Sequence, residues 1–383
     1  MDISDATKVL KWNKRLLDVL GLWPLNLNEV KFSFFFIYIT VQCFLQYADL
    51  AEYIYDFNYV VRNLTETIVL SMIFLKIFIY RIISNELREL IQYIQEDYSE
   101  IVYSTANEIK TFLQYTLLSK RIVQCLLITC GFTTVLFYMQ PLTTQLLAYN
   151  EGNSSTSFIL PFHIRLFFDV TQARIYYIIY ACEIFVVPLV LCGFIGTDCL
   201  LITLVLHICG QISILTMQVG ILLDDPRNLR EKLKRIVIRH CRLLRLFANL
   251  QSAYSAFLLQ ELFGITFLMC LGSYNVIATS AVTDSSNFIR FLFYILTLIF
   301  QLFGMCYIGE CVTTESSCLC NAFYNCEWYN ISPDHAKSFL MCILRSQKPL
   351  TLTAGNFFTF SLVNFTSVVR TSIGYLSVMR KFL

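Results

Sequence analysis

Residues 175–223 read IYYIIYACEIFVVPLVLCGFIGTDCLLITLVLHICGQISILTMQVGILL. As one helix at 1.5 Å per residue these 49 residues would extend ~74 Å, more than twice the ~30 Å of a bilayer core. The stretch is therefore either two membrane crossings or one long helix that leaves the bilayer, and the topology of the chain turns on which. The rest of the chain makes a membrane the right frame. Of 383 residues 56% are hydrophobic and 15% charged, with a mean hydropathy of +0.60, whereas soluble domains carry about 25% charged residues. With 13 Gly and 7 Pro there is little room for long flexible linkers, and a net charge of +2 gives no general attraction to nucleic acid. The first apolar run, near Phe32, follows a charged leader and no small-residue cleavage site follows it, so it is expected to stay as an anchor.

Runs of about 20 apolar residues fall at 32–50, 64–80, 122–142, 175–195, 256–280, 288–312 and 354–379. Cytosolic flanks should hold the excess of Lys and Arg. Five lie before the first span (Lys8, Lys11, Lys14, Arg15, Lys31), five between the second and third, eight from Arg227 to Arg245 and three from Lys337 to Lys348. The alternate segments include Arg62, Arg165 and Arg290, with Arg380 and Lys381 in the tail. This alternation survives only if 175–223 crosses once. The expected fold is an all-α integral membrane protein with seven transmembrane helices, N-terminus cytosolic and C-terminus extracellular, the reverse of a G-protein-coupled receptor. None of the 15 Cys falls in an expected external loop, and neither Asp-Arg-Tyr after the third span nor Asn-Pro-x-x-Tyr in the seventh is present. Asn63 and Asn153 are glycosylation sequons on the expected outer side, Asn153 being farther from a span.

A single crossing leaves Leu200 to Leu223 to be covered by protein. After Asp224-Asp225-Pro226, the residues Leu229, Leu233, Ile236, His240, Leu243 and Phe247 recur at helical spacing, flanked by Arg230, Lys234, Arg235, Arg239, Arg242 and Arg245. This is an amphipathic helix whose basic face suits anionic headgroups. The segment Thr314–Lys348 is too polar to span and carries Trp328, Tyr329 and Pro333. Together they predict an intracellular helical anchor layer serving subunit contact, with those three residues at the interface. The implied division is 1–200 for helices 1–4 on the ligand side, 201–255 for the extension of helix 4 and the basic helix, 256–350 for helices 5–6 with the second anchor helix, and 351–383 for helix 7.

Catalytic chemistry has no signature: there is no P-loop, G-x-G-x-x-G or H-E-x-x-H, and no cofactor is implied. His163, His207, His240 and His335 are scattered, and Cys318 and Cys320 sit i, i+2, pointing apart on a helix, so the cysteine cluster near Cys311–Cys326 reads as small hydrophobes rather than a metal site. Lys76 and Glu183 fall at similar depth in spans two and four and are expected to pair; Asp49 and Glu66 sit near span ends, within reach of water.

Ala322-Phe323-Tyr324, then Trp328-Tyr329-Asn330-Ile331-Ser332-Pro333, then Arg345-Ser346-Gln347-Lys348-Pro349-Leu350-Thr351-Leu352-Thr353-Ala354-Gly355 resemble the closing region of insect odorant receptors. Ser361-Leu362, Phe365, Ser372 and Tyr375 continue the pattern. The resemblance covers the whole chain, with sharp motifs in roughly the last 70 residues. Asn356 stands where the family often has Lys, and the sequence around Cys311–Cys326 is richer in Cys; the Thr-Tyr-x5-Gln-Phe ending of the related gustatory receptors is not matched. The short 224–255 connection resembles an odour-tuned subunit rather than the longer shared co-receptor.

The resemblance implies one subunit of a tetrameric, ligand-gated, non-selective cation channel, assembled with the odorant co-receptor in the plasma membrane of olfactory sensory neurons. The seventh span would line the pore, with an apolar gate at Val378, three residues after Tyr375, and with Lys381 beside Arg380 at the mouth. It places the odorant pocket in the outer half between spans two, three, four and six. Helical spacing brings Ser71, Met72 and Leu75, Phe132, Leu136 and Gln140, Tyr177 and Tyr180, and Phe291 and Tyr294 toward it, although for each of these packing is the ordinary role. The set suits a small volatile or hydrophobic ligand.

Overall fold

Side-chain caps start the first two crossings: Asn28 accepts from the Lys31 amide and Asp56 from the Tyr59 amide, each at 3.1 Å, launching α2 (Glu29–Glu52) and α3 (Phe57–Ile82). The computed structural model describes residues 3–98, 103, 105–150, 159–167, 173–223, 229–279, 285–355 and 357–379. Before these crossings lies α1 (Ile3–Val19), and after them come α4 (Ser84–Glu96) and α5 (Ala106–Asn150). The fourth helical run starts as α6 (Ala173–Cys182) and ends as α7 (Thr197–Gly220). Then follow α8 (Leu229–Ala278), α9 (Ser285–Asn325), α10 (Pro333–Ser346), a minimal hairpin of β1 (Thr353–Ala354) and β2 (Phe358–Thr359), and α11 (Leu362–Met379). Among the described residues six helical runs are long and apolar enough to cross a membrane: Glu29–Glu52, Phe57–Ile82, Ala106–Leu146, Arg174–Gly220, Leu229–Ala278 and Ser286–Asn330. The protein is an all-α, multi-pass membrane protein.

The fourth run does not turn back. Between α6 and α7 it passes through a 3-10 turn (Glu183–Phe185), one α turn (Val186–Pro188) and a π-helical stretch (Leu189–Gly196). Pro188 has no N–H to give the preceding turn, and the hydrogen-bond register shifts on both sides of it. Beyond the shift, α7 is regular and almost wholly buried: Leu200, Leu201, Leu204, Val205, Leu206, Ile208 and Cys209 have no exposed surface. Two of its polar positions reach distant partners. Thr203 accepts from Asn13 at 2.7 Å, and His207 faces Asp97 at 3.1 Å and packs against the rings of Tyr98 and Phe112.

The stripe Leu229, Leu233, Ile236, His240, Leu243 and Phe247 of α8 is buried as its spacing predicts, with Arg230, Lys234 and Arg235 exposed. The main cover of α7, however, comes from α9 and α5. Those helices and α8 are 41, 45 and 50 residues long, so each continues past a bilayer's thickness into a helical platform around α7. Platform end here means the end carrying α4, α7 and α10, and cavity end the opposite one.

The expected seventh span began at 354, yet α11 begins at Leu362. The chain first reverses at Gly355, whose φ of +56° suits a residue without Cβ, and β1 pairs antiparallel with β2. Gln251 of α8 binds both backbone polar groups of Thr353, at 2.6 and 3.0 Å. Ser361 then caps α11 through the Asn364 amide (3.2 Å), and Glu310 of α9 accepts the Leu362 amide (3.1 Å). At Gly309 the Phe360 carbonyl oxygen lies 2.1 Å from where a Cβ would be, so α9 and the start of α11 meet backbone to backbone.

Candidate ligand-binding site

At the cavity end four helices leave a space of about 620 Å³, counted together with the part that opens outward. α3 turns Thr65, Glu66, Val69 and Leu70 toward it, one face at i, i+1, i+4 and i+5. α5 supplies Cys130, Thr133, Thr134 and Phe137, and α9 supplies Tyr294, Thr297 and Leu298. The irregular part of the fourth run gives Val186, Val190 and Phe194, and Phe162 covers the space from the 159–167 segment.

The polar groups of the wall are nearly all engaged. Thr65, Thr133, Thr134 and Thr297 each reach a carbonyl four residues back, at 2.7 to 3.0 Å, and the Thr133 and Thr297 hydroxyls meet at 2.8 Å. Glu66 is 6% exposed, and its Oε2 accepts from the His163 amide (3.1 Å) and faces His163 Nδ1 (3.0 Å). Burial opposes a charge on His163, but the Glu66 carboxylate outweighs it and the imidazole pKa is held above its ordinary value. Beside them Arg290 donates to Gln140 at 2.8 Å and lies over Phe137 and Phe291.

Beneath the cavity lies a charged knot. Lys76 sits 3.0 Å from Asp198 and 2.7 Å from Glu261, donates to the Phe194 carbonyl at 2.7 Å, and Gln301 donates to both carboxylates. The expected Lys76–Glu183 pair is thus replaced. The helix of Lys76 begins at Phe57, seven residues before the expected span at 64, so Lys76 lies deeper than that count gave; Glu183 instead bonds Gln42 of α2 (3.0 Å) and Asp198, farther along the fourth run, meets Lys76. Phe194 joins cavity wall and knot, its side chain lining the space and its carbonyl accepting from Lys76.

Of the residues that helical spacing brought toward a ligand, Tyr294 lines the space, and Phe291 packs edge-on behind Phe137. Tyr180 is buried with its hydroxyl on the Tyr138 carbonyl; Gln140 holds Arg290; Leu136 is half-buried. Leu75, Phe132 and Tyr177 are exposed on the outside of the single chain. Ser71 bonds Tyr47 (2.9 Å), and Met72 packs at Gly264 on the far side of α3. The wall uses the neighbouring turn of α3, where Glu66 is the signal in the sequence. It reaches His163 rather than water, as Asp49 reaches Tyr59 and Asn63. Asn63 is completely buried, donating to Asp49 at 2.7 Å and accepting from Thr67, so no face of it is open to a glycan; Asn153 lies outside the described residues. Trp328 packs half-buried on the platform, with Tyr329 and Pro333 exposed. Tyr375 and Val378 fall on α11, but their side chains, like Lys381, lie outside the described residues.

A family model described as 7tm Odorant receptor matches residues 56–373. The chain belongs to the insect odorant receptor family. Among members of the family, Odorant receptor 13a of Drosophila melanogaster is 26% identical over 200 residues, 48% of each chain. Odorant receptor 67c of the same species is 25% identical over 273 residues, 68% of this chain and 65% of that one. The odorant receptor coreceptor of Aedes aegypti is 30% identical over 162 residues, 42% of this chain and 33% of that one. The matches thus span from a third to two-thirds of these curated relatives. The fold matches that of the insect olfactory receptor OR5 from Machilis hrabei in complex with eugenol, with a TM-score of 0.85 at 21% identity over 99% of this chain and 100% of that one.

Proposed function

We propose that this odorant receptor is the odour-tuned subunit of a ligand-gated, non-selective cation channel that takes a small hydrophobic ligand into the cavity between α3, α5, the fourth run and α9. The observation that carries this reading is the cavity itself, apolar, bordered by Phe162 and floored by the knot that ties four helices at one point. A ligand that favours one packing of these helices shifts the equilibrium toward it, since only differential affinity does work on a gate. The eugenol complex of OR5 supports a ligand of this size.

In this reading the platform end is cytosolic, as the Lys and Arg excess demands, and α11 is the seventh crossing, lining a central pore with Val378 at the gate and Tyr375 and Lys381 near its mouth. The platform joins the co-receptor through Trp328, Tyr329 and Pro333, supported by the exposed apolar side chains of Tyr324, Met341 and Leu344 beside them. Asn153 carries a glycan on the outer side, and the protein resides in the plasma membrane of olfactory neurons. The test is whole-cell recording in cells expressing the chain with and without an insect co-receptor, with G-protein signalling blocked. Fast odorant-evoked cation current that requires the co-receptor is expected. A response abolished by the G-protein block, with the N-terminus outside, would replace the channel by a G-protein-coupled reading.

A further inference from the structure

Glu66 is an unusual wall for a cavity that is otherwise apolar. One of its oxygens is fully used by His163, whereas Oε1, equally buried, has no hydrogen-bond partner among the described residues. A buried carboxylate oxygen without a partner carries a desolvation cost that a bound donor relieves. Nothing else in the wall supplies that donor. The protons of Thr65, Thr133, Thr134 and Thr297 are directed to backbone carbonyls or shared between Thr133 and Thr297, the Tyr294 hydroxyl points to the Thr65 carbonyl at 3.4 Å, and the Cys130 thiol contacts Thr134 at 3.9 Å. Among the described residues, the polar side-chain atom of this wall left without a partner is thus a buried acceptor, and its complement is a guest with a donor.

Charge decides which donor. Glu66 already has the His163 imidazole against it and feels the Arg290 guanidinium from α9. A cationic amine would enter a site whose negative charge is already compensated, and would leave its hydration behind with little in return. A neutral hydroxyl meets no such penalty.

We propose that this cavity selects neutral alcohols or phenols, whose hydroxyl donates to Glu66 Oε1 while the hydrocarbon part packs among Val69, Leu70, Val186, Val190 and Leu298. This rests on the ligand-binding reading above and gives its ligand a chemical class. It also assigns an expected consequence to a single isosteric change. In Glu66→Gln the His163 amide still requires an acceptor, so the new amide oxygen turns to His163 and its NH2 group faces the cavity. The wall then offers a donor, and preference passes from alcohols to molecules with an acceptor oxygen.

The experiment uses the chain co-expressed with a co-receptor and matched probes of about six to twelve carbons: primary alkanols, their methyl ethers, their amines, and the phenol–anisole counterparts. Two readouts are taken, odorant-evoked current in cells and ligand-induced thermal stabilisation of the purified complex, with the co-receptor alone as background. In the unaltered chain alcohols or phenols are expected to act at about tenfold or more lower concentration than their ethers, with amines no better than ethers. In Glu66→Gln the alcohol-to-ether ratio is expected to fall to parity or reverse. Equal potency of alcohol and ether, stronger action of the amines, an unchanged ratio in Glu66→Gln, or silence of every alcohol and phenol in both readouts overturns the proposal. Currents without alcohol preference leave the channel reading standing, and stabilisation by alcohols without current removes the channel reading while keeping this one.

Discussion

The fourth helical run has two halves of opposite character. Its cavity-end half, from Ala173 to Gly196, changes helical type three times, carries a proline, and gives one wall to an open space; its platform half, Thr197 to Gly220, is uninterrupted α-helix buried on nearly every side. Both halves are comparably apolar, so hydrophobicity did not make the difference. Partners did: Leu204 and Ile208 have neighbours all round, whereas Val186 and Val190 face empty volume. A wall with unfilled contacts yields to a guest at low cost, and a packed helix holds the rest in place. The Lys76 knot lies on the boundary and separates the two regimes.

The sharpest attempt to break this division is Lys76→Met, which leaves Asp198 and Glu261 buried without their cation. Removing one partner of a buried ion cluster costs about 3–5 kcal/mol, and loss of folded, surface-exposed protein is expected in thermal unfolding and surface-labelling assays; wild-type yield would show that the knot fixes nothing. Next, Leu204→Ala in the packed half should cost about 2–5 kcal/mol. By contrast Val190→Ala should cost less than about 1.5 kcal/mol of stability while shifting ligand potency, a reversal read by measuring melting temperature and dose–response on both variants.

The smallest expected effect concerns the cover of the cavity. His163 is stabilised in its charged form by Glu66 and Asp49, against its burial and Arg290, so its pKa is above the ordinary 6.5. The stabilisation is complete below that ordinary value and disappears as pH climbs through the raised one. Hydrogen exchange of residues 159–167, corrected for intrinsic rate, should show protection falling over that rise by about 1 kcal/mol or less. In His163→Asn the pH dependence should vanish. An unaltered profile would mean that the pair does not hold the cover.

Apolar runs, charge alternation and the 229–247 stripe made most of the architecture legible, because hydrophobic period and Lys and Arg placement are local properties of a chain. What escaped was set by backbone geometry or by distant partners. Counting depth from residue 64 put Glu183 opposite Lys76, but the helix starts at Phe57 and Lys76 lies deep enough to meet Asp198 instead. Counting apolar residues began the seventh helix at 354, although Gly355 turns the chain before it starts. The four helices of the cavity were the expected ones, but the face of α3 that lines it lies one turn away from Ser71–Leu75. That face depends on how α3 is rotated among its neighbours, which no periodicity reveals. The carboxylate at Glu66 was visible in the sequence, and only its partner His163, 97 residues on, showed that it looks inward.

The contact at Gly309 has a mechanical consequence. With Phe360 seated on the α9 backbone, Gln251 clasping Thr353 and Glu310 holding the first amide of α11, the helix is clamped at its root like a reed. Its 18 residues form a stiff rod of about 27 Å, so a slight rotation at the clamp becomes a displacement that grows steadily along it. A side chain of any size at position 309 would shift the fulcrum itself.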